Sequence, residues 1–428
     1  MDMQGSNREN FIYTEREELF DPNIYIGIYA KVTGNPQTDE LVRAVKTAFC
    51  ANESTMSKIV LDEDGSARYE RMEESGCRVF VTQKDWKTIV IENEREAFRI
   101  DEGEMLRVFV ISSHRETGIF IMAHHLAGDG KSVVYFLEDT MRALAGEKLQ
   151  FKPLYLITDD LFPKNAKPPF FYNLYAKGFN RRWNKNGRNF NWEDYKEIHK
   201  TYWKSRCSNV IYKSFTAEET EAIRKKAKKA GVSVNSYIAT AFLGADPDNG
   251  SIGMPVDIRK DHNRSMSNQA SGISVDHHYS SRLSFEENAQ IVHKKVQMKL
   301  KRPVTRWFIL RFLTLFTPSL LDSVLFAAHD LYGNKTSLEL AEVMGYRGGK
   351  IRELGVTNLG ILDIPDTYER YGLKDMLFIP PVVSYAKHII GVVTMRDGMR
   401  ISYHFMDGMD KEKEQSFFER AMEYLEIS

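Results

Sequence analysis

The chain has 428 residues, with 59 basic and 59 acidic side chains and therefore a formal net charge of zero. Hydrophobic residues make up 42% of it and aromatic residues 12%, which excludes a disordered chain, since disorder needs low hydrophobicity and high net charge. The balanced charge also disfavours a nucleic-acid-binding protein with a strongly basic surface. At about 150 residues per domain, the length predicts two or three domains.

Cysteine usage and the start of the sequence bear on the compartment. The cysteines, Cys50, Cys77 and Cys207, are odd in number and none has C-x-x-C spacing, so neither a disulfide scaffold nor a cysteine-rich zinc site is predicted. The histidines show no ligand spacing, and no metal is expected. The sequence starts without a basic stretch followed by an apolar run, which predicts a cytoplasmic protein.

Charge is distributed unevenly along the chain. Residues 1–150 carry 18 basic and 27 acidic side chains, whereas residues 164–206 carry 11 basic and 3 acidic ones together with 11 aromatic residues. We interpret 164–206 as a basic aromatic crossover between an N-terminal subdomain, 1–163, and a C-terminal subdomain, 207–428. The crossover is either a solvated segment whose charged stems cover apolar surface, a phosphate-binding site, or a weak contact with a membrane surface. No fold motif supports nucleic-acid binding.

The first half of the chain predicts a mixture of strands and helices. Strand-forming residues cover 24–30, and a helix with one apolar face follows over 38–49. Two further strands are expected over 105–111 and 118–123. Apolar residues at helical spacing then predict a helix over 132–144, with a glycine just past its end.

The second half has the same mixed character, which permits a duplicated α/β (α+β) architecture. Thr216 and Glu219 form a capping box at the start of one helix, and Asp397-Gly398 is a strong hairpin signal between two strands. The predicted elements are strands over 210–215, 251–256, 352–358, 376–380, 389–395 and 399–405 and a terminal helix over 411–425.

The most informative stretch, His124-His125-Leu126-Ala127-Gly128-Asp129-Gly130, lies between a predicted strand and the next helix. Histidine titrates near neutral pH, and a strand end is a rigid place from which to hold a base. His124 and His125 are therefore candidate catalytic groups, with Asp129 in the same turn, and the glycines let a substrate approach the backbone. The alternative is a pair of core histidines in a glycine loop, which the rarity of H-H-x-x-x-D-G disfavours.

H-H-x-x-x-D-G is similar to the signature of the chloramphenicol-acetyltransferase-like acyltransferases, which include condensation domains and alcohol acyltransferases. The resemblance implies two such subdomains that form a pseudo-dimer with a tunnel between them. His125 would then be the general base and Asp129 a structural aspartate. Gly130 would lie beside the donor's pantetheine arm, and Ser132 falls where condensation domains often have serine. The segment 255–259 resembles the motif that supplies the aspartate's partner, which would make Arg259 that partner.

A second match lies further along the chain. Val356-Thr357-Asn358-Leu359-Gly360 resembles the Ser-Asn-x-Gly strand that lines the tunnel, with Thr357 in place of serine. Thr357 and Asn358 are candidate donors to the developing oxyanion. The D-F-G-W-G motif of plant acyltransferases and the Asn-Val-Pro-Gly-Pro signature of wax-ester synthases are absent. The chain therefore resembles a stand-alone enzyme of the bacterial alcohol-acyltransferase and condensation-like branch.

These implications predict an acyltransferase that moves an acyl group from a thioester to an alcohol. Acyl-CoA or acyl-phosphopantetheine would be the co-substrate, no cofactor would be bound permanently, and a small molecule would be the acceptor. Two alternatives stay open: an amide-forming condensation enzyme that takes its donor from an acyl carrier protein, and a catalytically silent binding module. A phosphate site in 164–206 would suit coenzyme A. A monomer is expected, because the tunnel needs no second chain, and peripheral membrane contact is left open.

Overall fold

The computed structural model describes residues 10–112, 117–261, 263–348, 352–384, 386–406 and 410–427. Strands and helices follow one another along both halves, and most of the strands are gathered into two six-stranded sheets. The predicted mixed α/β class is therefore confirmed.

The described part of the first half contains six strands and three helices around the stretch that carries the histidines. Its elements are β1 (Tyr25–Thr33), α1 (Thr38–Ala51), β2 (Ser57–Leu61), β3 (Ala67–Arg71), β4 (Arg78–Thr82), α2 (Trp86–Asn93), β5 (Leu106–Ser112), β6 (Thr117–His124) and α3 (Gly130–Leu144). The predicted crossover forms two helices, α4 (Phe170–Asn186) and α5 (Trp192–Trp203).

The second half is richer in helices. Its elements are β7 (Ser208–Thr216), α6 (Ala217–Lys229), α7 (Val234–Ala245), β8 (Ser251–Asp257), β9 (Ala270–Asp276), α8 (Phe285–Lys301), α9 (Pro303–Arg306), α10 (Phe308–Leu313), α11 (Pro318–Ala328), α12 (Lys335–Met344), β10 (Arg352–Ile361), β11 (Thr367–Tyr368), β12 (Tyr371–Ile379), β13 (Ala386–Met395), β14 (Gly398–Met406) and α13 (Lys411–Ile427). No helix in the described ranges is both long and apolar enough to cross a membrane.

Local signals in the sequence correspond to local features of the structure. Thr216 caps α6 and forms the predicted capping box with Glu219. The predicted hairpin is present, because β13 and β14 pair antiparallel up to Met395 and Gly398, and Gly398 has a φ of +129°. That backbone angle favours glycine, which explains why Asp-Gly marks this turn.

The two large sheets do not follow chain order strictly. The first has the strand order β11-β12-β1-β6-β5-β4 and the second β7-β14-β13-β10-β8-β9. β12 comes from the second half of the chain, yet it pairs antiparallel with β1 in the first sheet, with Gly27 opposite Ile379. The division at 163 and 207 stays a prediction, and β11 and β12 are elements of the C-terminal segment that lie in the N-terminal sheet.

β6 is the strand that positions the candidate site. It lies between β1 and β5 in the first sheet, and every residue from Gly118 to His124 is buried. Tyr25, the first residue of β1, lies opposite His124, the last residue of β6. The end of β6 is therefore held on both sides by hydrogen-bonded neighbours, which makes it a rigid support for the histidines.

Candidate active site

The stretch that carries the two histidines connects β6 to α3. A short 3-10 turn covers His125–Ala127, and Asp129 is the N-cap of α3. Gly128, between them, has a φ of +146°, where a side chain would be strained. A Cβ at Gly128 would lie 2.6 Å from the Ser132 Cβ and 2.9 Å from the Ser267 backbone nitrogen. This glycine therefore lets the turn pack closely against the segment around residue 267.

His124 is fully buried at the end of β6. Its Nδ1 accepts a hydrogen bond from the Leu126 N–H at 3.2 Å, and its ring packs against the rings of Tyr25 and Phe98. Burial, followed by the charge of His125, lowers the pKa of His124 to about 3. His124 is therefore neutral and shapes the turn. Its predicted place among the catalytic groups stays a prediction.

His125 is more accessible than His124 and lies beside a carboxylate. Its side chain is 19% exposed, and its Nδ1 is 3.1 Å from Oε1 of Glu18. The Nδ2 of Asn268 is 3.3 Å from the same Nδ1. Burial alone would lower the pKa of His125, but the charge and hydrogen bond of Glu18, with a smaller contribution from Asp129, outweigh it and raise the pKa.

Asp129 and Arg259, the predicted partners, form an ion pair between the two halves of the chain. The Arg259 Nη2 is 2.6 Å from the Asp129 Oδ1, and both side chains are more than nine-tenths buried. Burial alone would raise the pKa of the Asp129 carboxyl. The charge and hydrogen bond of Arg259 hold that pKa below its ordinary value instead. Asp129 is therefore ionised and its carboxylate is engaged by Arg259, which suits a structural role.

Ser132 and the segment after β8 complete the anchoring of Asp129. The Ser132 N–H donates to the Asp129 Oδ1 at 3.0 Å, and the Gln269 N–H donates to the other oxygen at 2.9 Å. The Ser132 Oγ lies 2.7 Å from the Arg259 Nη2 and 2.7 Å from the Ser267 backbone oxygen. The turn after His125 is thus fixed by contacts with residues more than a hundred positions away.

Several solved structures are similar to this protein over nearly the whole length of both chains. The TRI3 trichothecene 15-O-acetyltransferase from Fusarium sporotrichioides has a TM-score of 0.64 and 13% identity, covering 99% of this chain and 96% of that chain. Polyketide synthase associated protein 5 from Mycobacterium tuberculosis has a TM-score of 0.61 and 10% identity, covering 100% of both chains. The first condensation domain of the CDA synthetase has a TM-score of 0.59 and 13% identity, covering 97% of this chain and 93% of that chain.

The chain has the chloramphenicol-acetyltransferase-like fold. No family model matches its sequence, and no curated protein matches it either. The likeness is therefore one of structure, at identities where only the fold is shared.

In this fold, Gly130 lies where the loop meets the second half of the chain. A Cβ at Gly130 would lie 2.8 Å from Cδ2 of Leu359 and 3.2 Å from the ring of Phe378. Leu359 is on β10 and Phe378 on β12, so both of these strands reach the start of α3. The predicted contact of Gly130 with a donor arm stays a prediction.

Thr357 and Asn358 lie on β10, as the resemblance implied, and both are partly buried. The Asn358 Oδ1 accepts a hydrogen bond from the Gly360 N–H at 2.8 Å, so this amide already stabilises its own turn. Within the described ranges, no hydrogen bond joins either residue to His125. Their role as oxyanion donors and the tunnel that they would line stay predictions.

Two residues beside His125 were not found by sequence reasoning. Glu18 lies in an acidic run, Thr14-Glu15-Arg16-Glu17-Glu18, that has the composition of a solvated surface, and Asn268 lies in a polar loop. Both meet His125 only through tertiary folding. The only signal within the sequence was the unusual density of charge just before β1.

Proposed function

We propose that the protein is an acyltransferase that moves an acyl group from a thioester to an alcohol, with His125 as the general base. The observation that supports this proposal best is the placement of His125. Its ring is partly exposed at a rigid strand end, Glu18 lies against one ring nitrogen, and the following turn is fixed by the buried Asp129–Arg259 pair. The fold adds support, because solved structures that share it include an O-acetyltransferase and a condensation domain.

The reaction needs one proton to move and one bond to be exchanged. Nε2 of His125 would take the proton of the acceptor hydroxyl as its oxygen attacks the thioester carbonyl. When the carbon–sulfur bond breaks, the imidazolium would return that proton to the leaving thiolate. Thr357, Asn358 or a backbone N–H would donate to the oxyanion in between. A thioester is already activated, so much of the rate would come from holding donor and acceptor together.

The donor and the acceptor define the alternatives. Acyl-CoA and an acyl group on a carrier protein present the same thioester, and His125 could equally deprotonate an amine. Amide formation with a carrier-protein donor is therefore the second candidate, favoured by the similarity to a condensation domain. A silent binding module is the third. The small-molecule acceptor and the monomeric state remain expectations.

The test is acceptor-dependent release of free thiol. The purified protein is given a ladder of acyl-CoAs and then acylated carrier proteins, each with and without a pool of alcohols and amines, and products are identified by mass spectrometry. We expect ester products and a loss of about 10²–10⁴-fold in rate for His125→Ala, the usual contribution of a general base.

The matched control is His278→Ala, which removes an exposed histidine in another part of the fold and should leave turnover unchanged. Amide products would favour the condensation-type reaction. Turnover that survives in His125→Ala would refute the general base, and inertness toward every donor would favour the binding module.

A further inference from the structure

The residues just before β1 place a group of carboxyls beneath the candidate base. Burial, followed by the charge of Glu18, raises the pKa of Glu15 well above its ordinary value and that of Glu17 to about 8. Glu17 is therefore largely protonated at neutral pH, and burial makes Glu15 harder to ionise than an ordinary glutamate. Glu18 is the member of the group that contacts His125, and its side chain is 12% exposed.

The geometry around His125 decides which ring nitrogen carries the proton. Oε1 of Glu18, which accepts a hydrogen bond from the Asn268 amide, is 3.1 Å from Nδ1 of His125, so Nδ1 also donates to it. The Asn268 amide, 3.3 Å from that nitrogen, cannot donate to an N–H, and its Nδ2 instead donates to the same Glu18 oxygen. This arrangement leaves the lone pair of the neutral ring on Nε2, which is the nitrogen that must accept a proton from substrate.

The segment that carries Glu18 is itself held in place. Two residues before it, Arg16 donates through Nε and Nη2 to the two carboxylate oxygens of Asp322, at 2.7 and 2.5 Å. Both side chains are buried, and Asp322 lies on α11. Bidentate pairs of this kind fix orientation as well as charge. Glu18 therefore approaches His125 from a rigid support.

Asp129 is not available for the same task. Its two oxygens are occupied by Arg259, by Gln269 and by the backbone of its own helix. We propose that Glu18 is the positioning residue of His125: it fixes the ring with Nε2 toward substrate and stabilises the imidazolium that forms during acyl transfer. This proposal rests on the proposed function, and it assigns the orienting carboxylate to the segment before β1 and not to the H-H-x-x-x-D-G motif.

The experiment measures the pKa of His125 directly, independently of turnover. The ring resonances of ¹³C-labelled histidine are titrated by NMR in the wild type, in Glu18→Gln and in Glu17→Gln, and His125→Ala identifies the signal. Among the described residues, Glu17, His124 and Asp129 also act on the charge of His125, and they are unchanged in Glu18→Gln. We expect the pKa of His125 to fall in Glu18→Gln and to move far less in Glu17→Gln, whose carboxyl is already largely protonated.

The same variants are then assayed for acyl transfer. For Glu18→Gln we expect a loss of at least about tenfold in kcat, little change in KM for the donor, and an acid limb displaced to lower pH. An unchanged His125 titration overturns the proposal, even where acyl transfer is found. A shifted titration without any turnover would support the Glu18–His125 interaction and contradict the proposed acyltransferase activity. Glu18→Asp serves if Glu18→Gln does not fold, with a smaller pKa change in the same direction expected.

The outer face of α4 exposes large apolar side chains. Four large apolar side chains at its start are exposed: Phe170 by 73%, Phe171 by 59%, Leu174 by 54% and Tyr175 by 37%. Contiguous apolar surface of this kind marks an interaction site in soluble domains.

The inner face of α4 is fixed to the rest of the fold. Ala176, Phe179 and Trp183 are buried, and the Trp183 Nε1–H donates to the Ser319 Oγ at 3.0 Å. The helix is therefore not a loose segment that could turn its apolar residues inward. The exposed side chains are presented to whatever approaches this surface.

Charge on the same face indicates the partner. At 100° per residue, Lys177, Arg181 and Lys185 continue the stripe begun by the exposed apolar residues, and α4 contains no acidic residue. None of the three has an ion pair among the described residues. Exposed aromatic and leucine side chains can enter the headgroup region of a bilayer, and lysine and arginine beside them are attracted to anionic lipid. We infer that the outer face of α4 binds a membrane surface that contains anionic lipid.

The test is co-sedimentation with vesicles of phosphatidylcholine, with and without phosphatidylglycerol. We expect binding that needs the anionic lipid, weakens with salt, and falls at least about tenfold in the triple variant Phe170→Ser, Phe171→Ser, Leu174→Ser. The control, Val81→Ser with Ile361→Ser, removes exposed apolar residues elsewhere and should bind like the wild type. A wild type that ignores anionic vesicles overturns the inference, as does a triple variant that binds equally well. Binding of an acidic carrier protein instead, lost in the triple variant, would reassign the surface.

Discussion

At the scale of single residues, the titratable groups of the site differ in how deeply they are buried and in which charged groups they contact. His124 and His125 are neighbours in sequence, yet burial lowers the pKa of the first to about 3, while Glu18 overcomes burial and raises the pKa of the second. His124 therefore stays neutral at neutral pH, and His125 holds its proton more strongly than an ordinary histidine. Their surroundings thus shift the pKa values of these two adjacent histidines in opposite directions.

The raised pKa of His125 predicts the pH dependence of turnover. A general base works only when it is neutral, so kcat/KM should fall as the pH drops through the pKa of His125, which lies above the ordinary value of about 6.5. A pH profile of acceptor-dependent thiol release measures this limb. A limb at or below the ordinary value would contradict the influence of Glu18.

Arg259→Ala should destabilise the fold by about 3–5 kcal/mol, because it strands the buried charge of Asp129. The lowered pKa of Asp129 gives the sign of the pH effect: its contribution is present above the pKa of the unfolded chain and is lost as the pH falls through the folded value. Urea unfolding at neutral and acidic pH measures both. Arg142→Ala, which breaks an exposed pair with Glu147, is the control and should barely move the midpoint. An equal effect of the two substitutions would argue against a buried pair.

The sequence alone leads to some of these residues and not to others. Asp129 and Arg259 were predicted as partners because each lies in a recognisable motif, although more than a hundred residues separate them. Glu18 and Asn268 were not predicted, since neither their spacing nor their neighbours distinguish them from surface residues. Contacts that arise only from tertiary folding leave no local pattern to find.

At the scale of elements, the turn between β6 and α3 depends on backbone conformation as much as on side chains. Gly128 combines a positive φ with close approach to Ser132 and Ser267. Gly146, after α3, also has a positive φ, of +85°, but a Cβ there would meet nothing within 4 Å. A substitution at Gly146 therefore introduces backbone strain alone, whereas one at Gly128 introduces backbone strain and a steric clash.

Gly128→Ala should destabilise the protein by more than Gly146→Ala and should also reduce acyl transfer. Strain from a disfavoured backbone conformation costs of order 1–3 kcal/mol, and Gly128→Ala adds a clash that displaces the turn carrying His125. Thermal unfolding and turnover of the two variants measure the difference. Equal losses of stability, with turnover intact, would show that the turn absorbs the extra carbon.

Elements whose determinants lie close together in the sequence could be predicted, and pairings between distant segments could not. The β13–β14 hairpin and the α6 capping box were predicted because their determinants lie within a few residues. The assignment of β12 to the first sheet was not, because its partner β1 is over three hundred residues away and no local signal marks the pairing.

At the scale of the whole molecule, the two halves are joined at the site and within a sheet. Arg259 of the second half holds Asp129 of the first, and β12 supplies a neighbour to β1. The candidate site therefore belongs to neither half alone.

Residues 1–206, produced as a separate chain, should not fold cooperatively, because β1 would lose one neighbour and present an open edge that promotes aggregation. Co-expression with residues 207–428 should restore a soluble complex with turnover. Circular dichroism, solubility and thiol release check the outcome. Cooperative unfolding of the isolated first half would show that it needs no strand from the second.

The pairing of β1 with β12 also bears on how the chain reaches this structure. The first sheet cannot be completed until residue 379 has left the ribosome, although β1 emerges more than three hundred residues earlier. Contacts between such distant residues raise the contact order, and folding slows because the intervening loop must close before the contact stabilises anything. Until then β1 is an unpaired edge, the kind of surface that chaperones protect, so synthesis rate and chaperone supply should govern the yield of folded protein more than the stability of the finished fold.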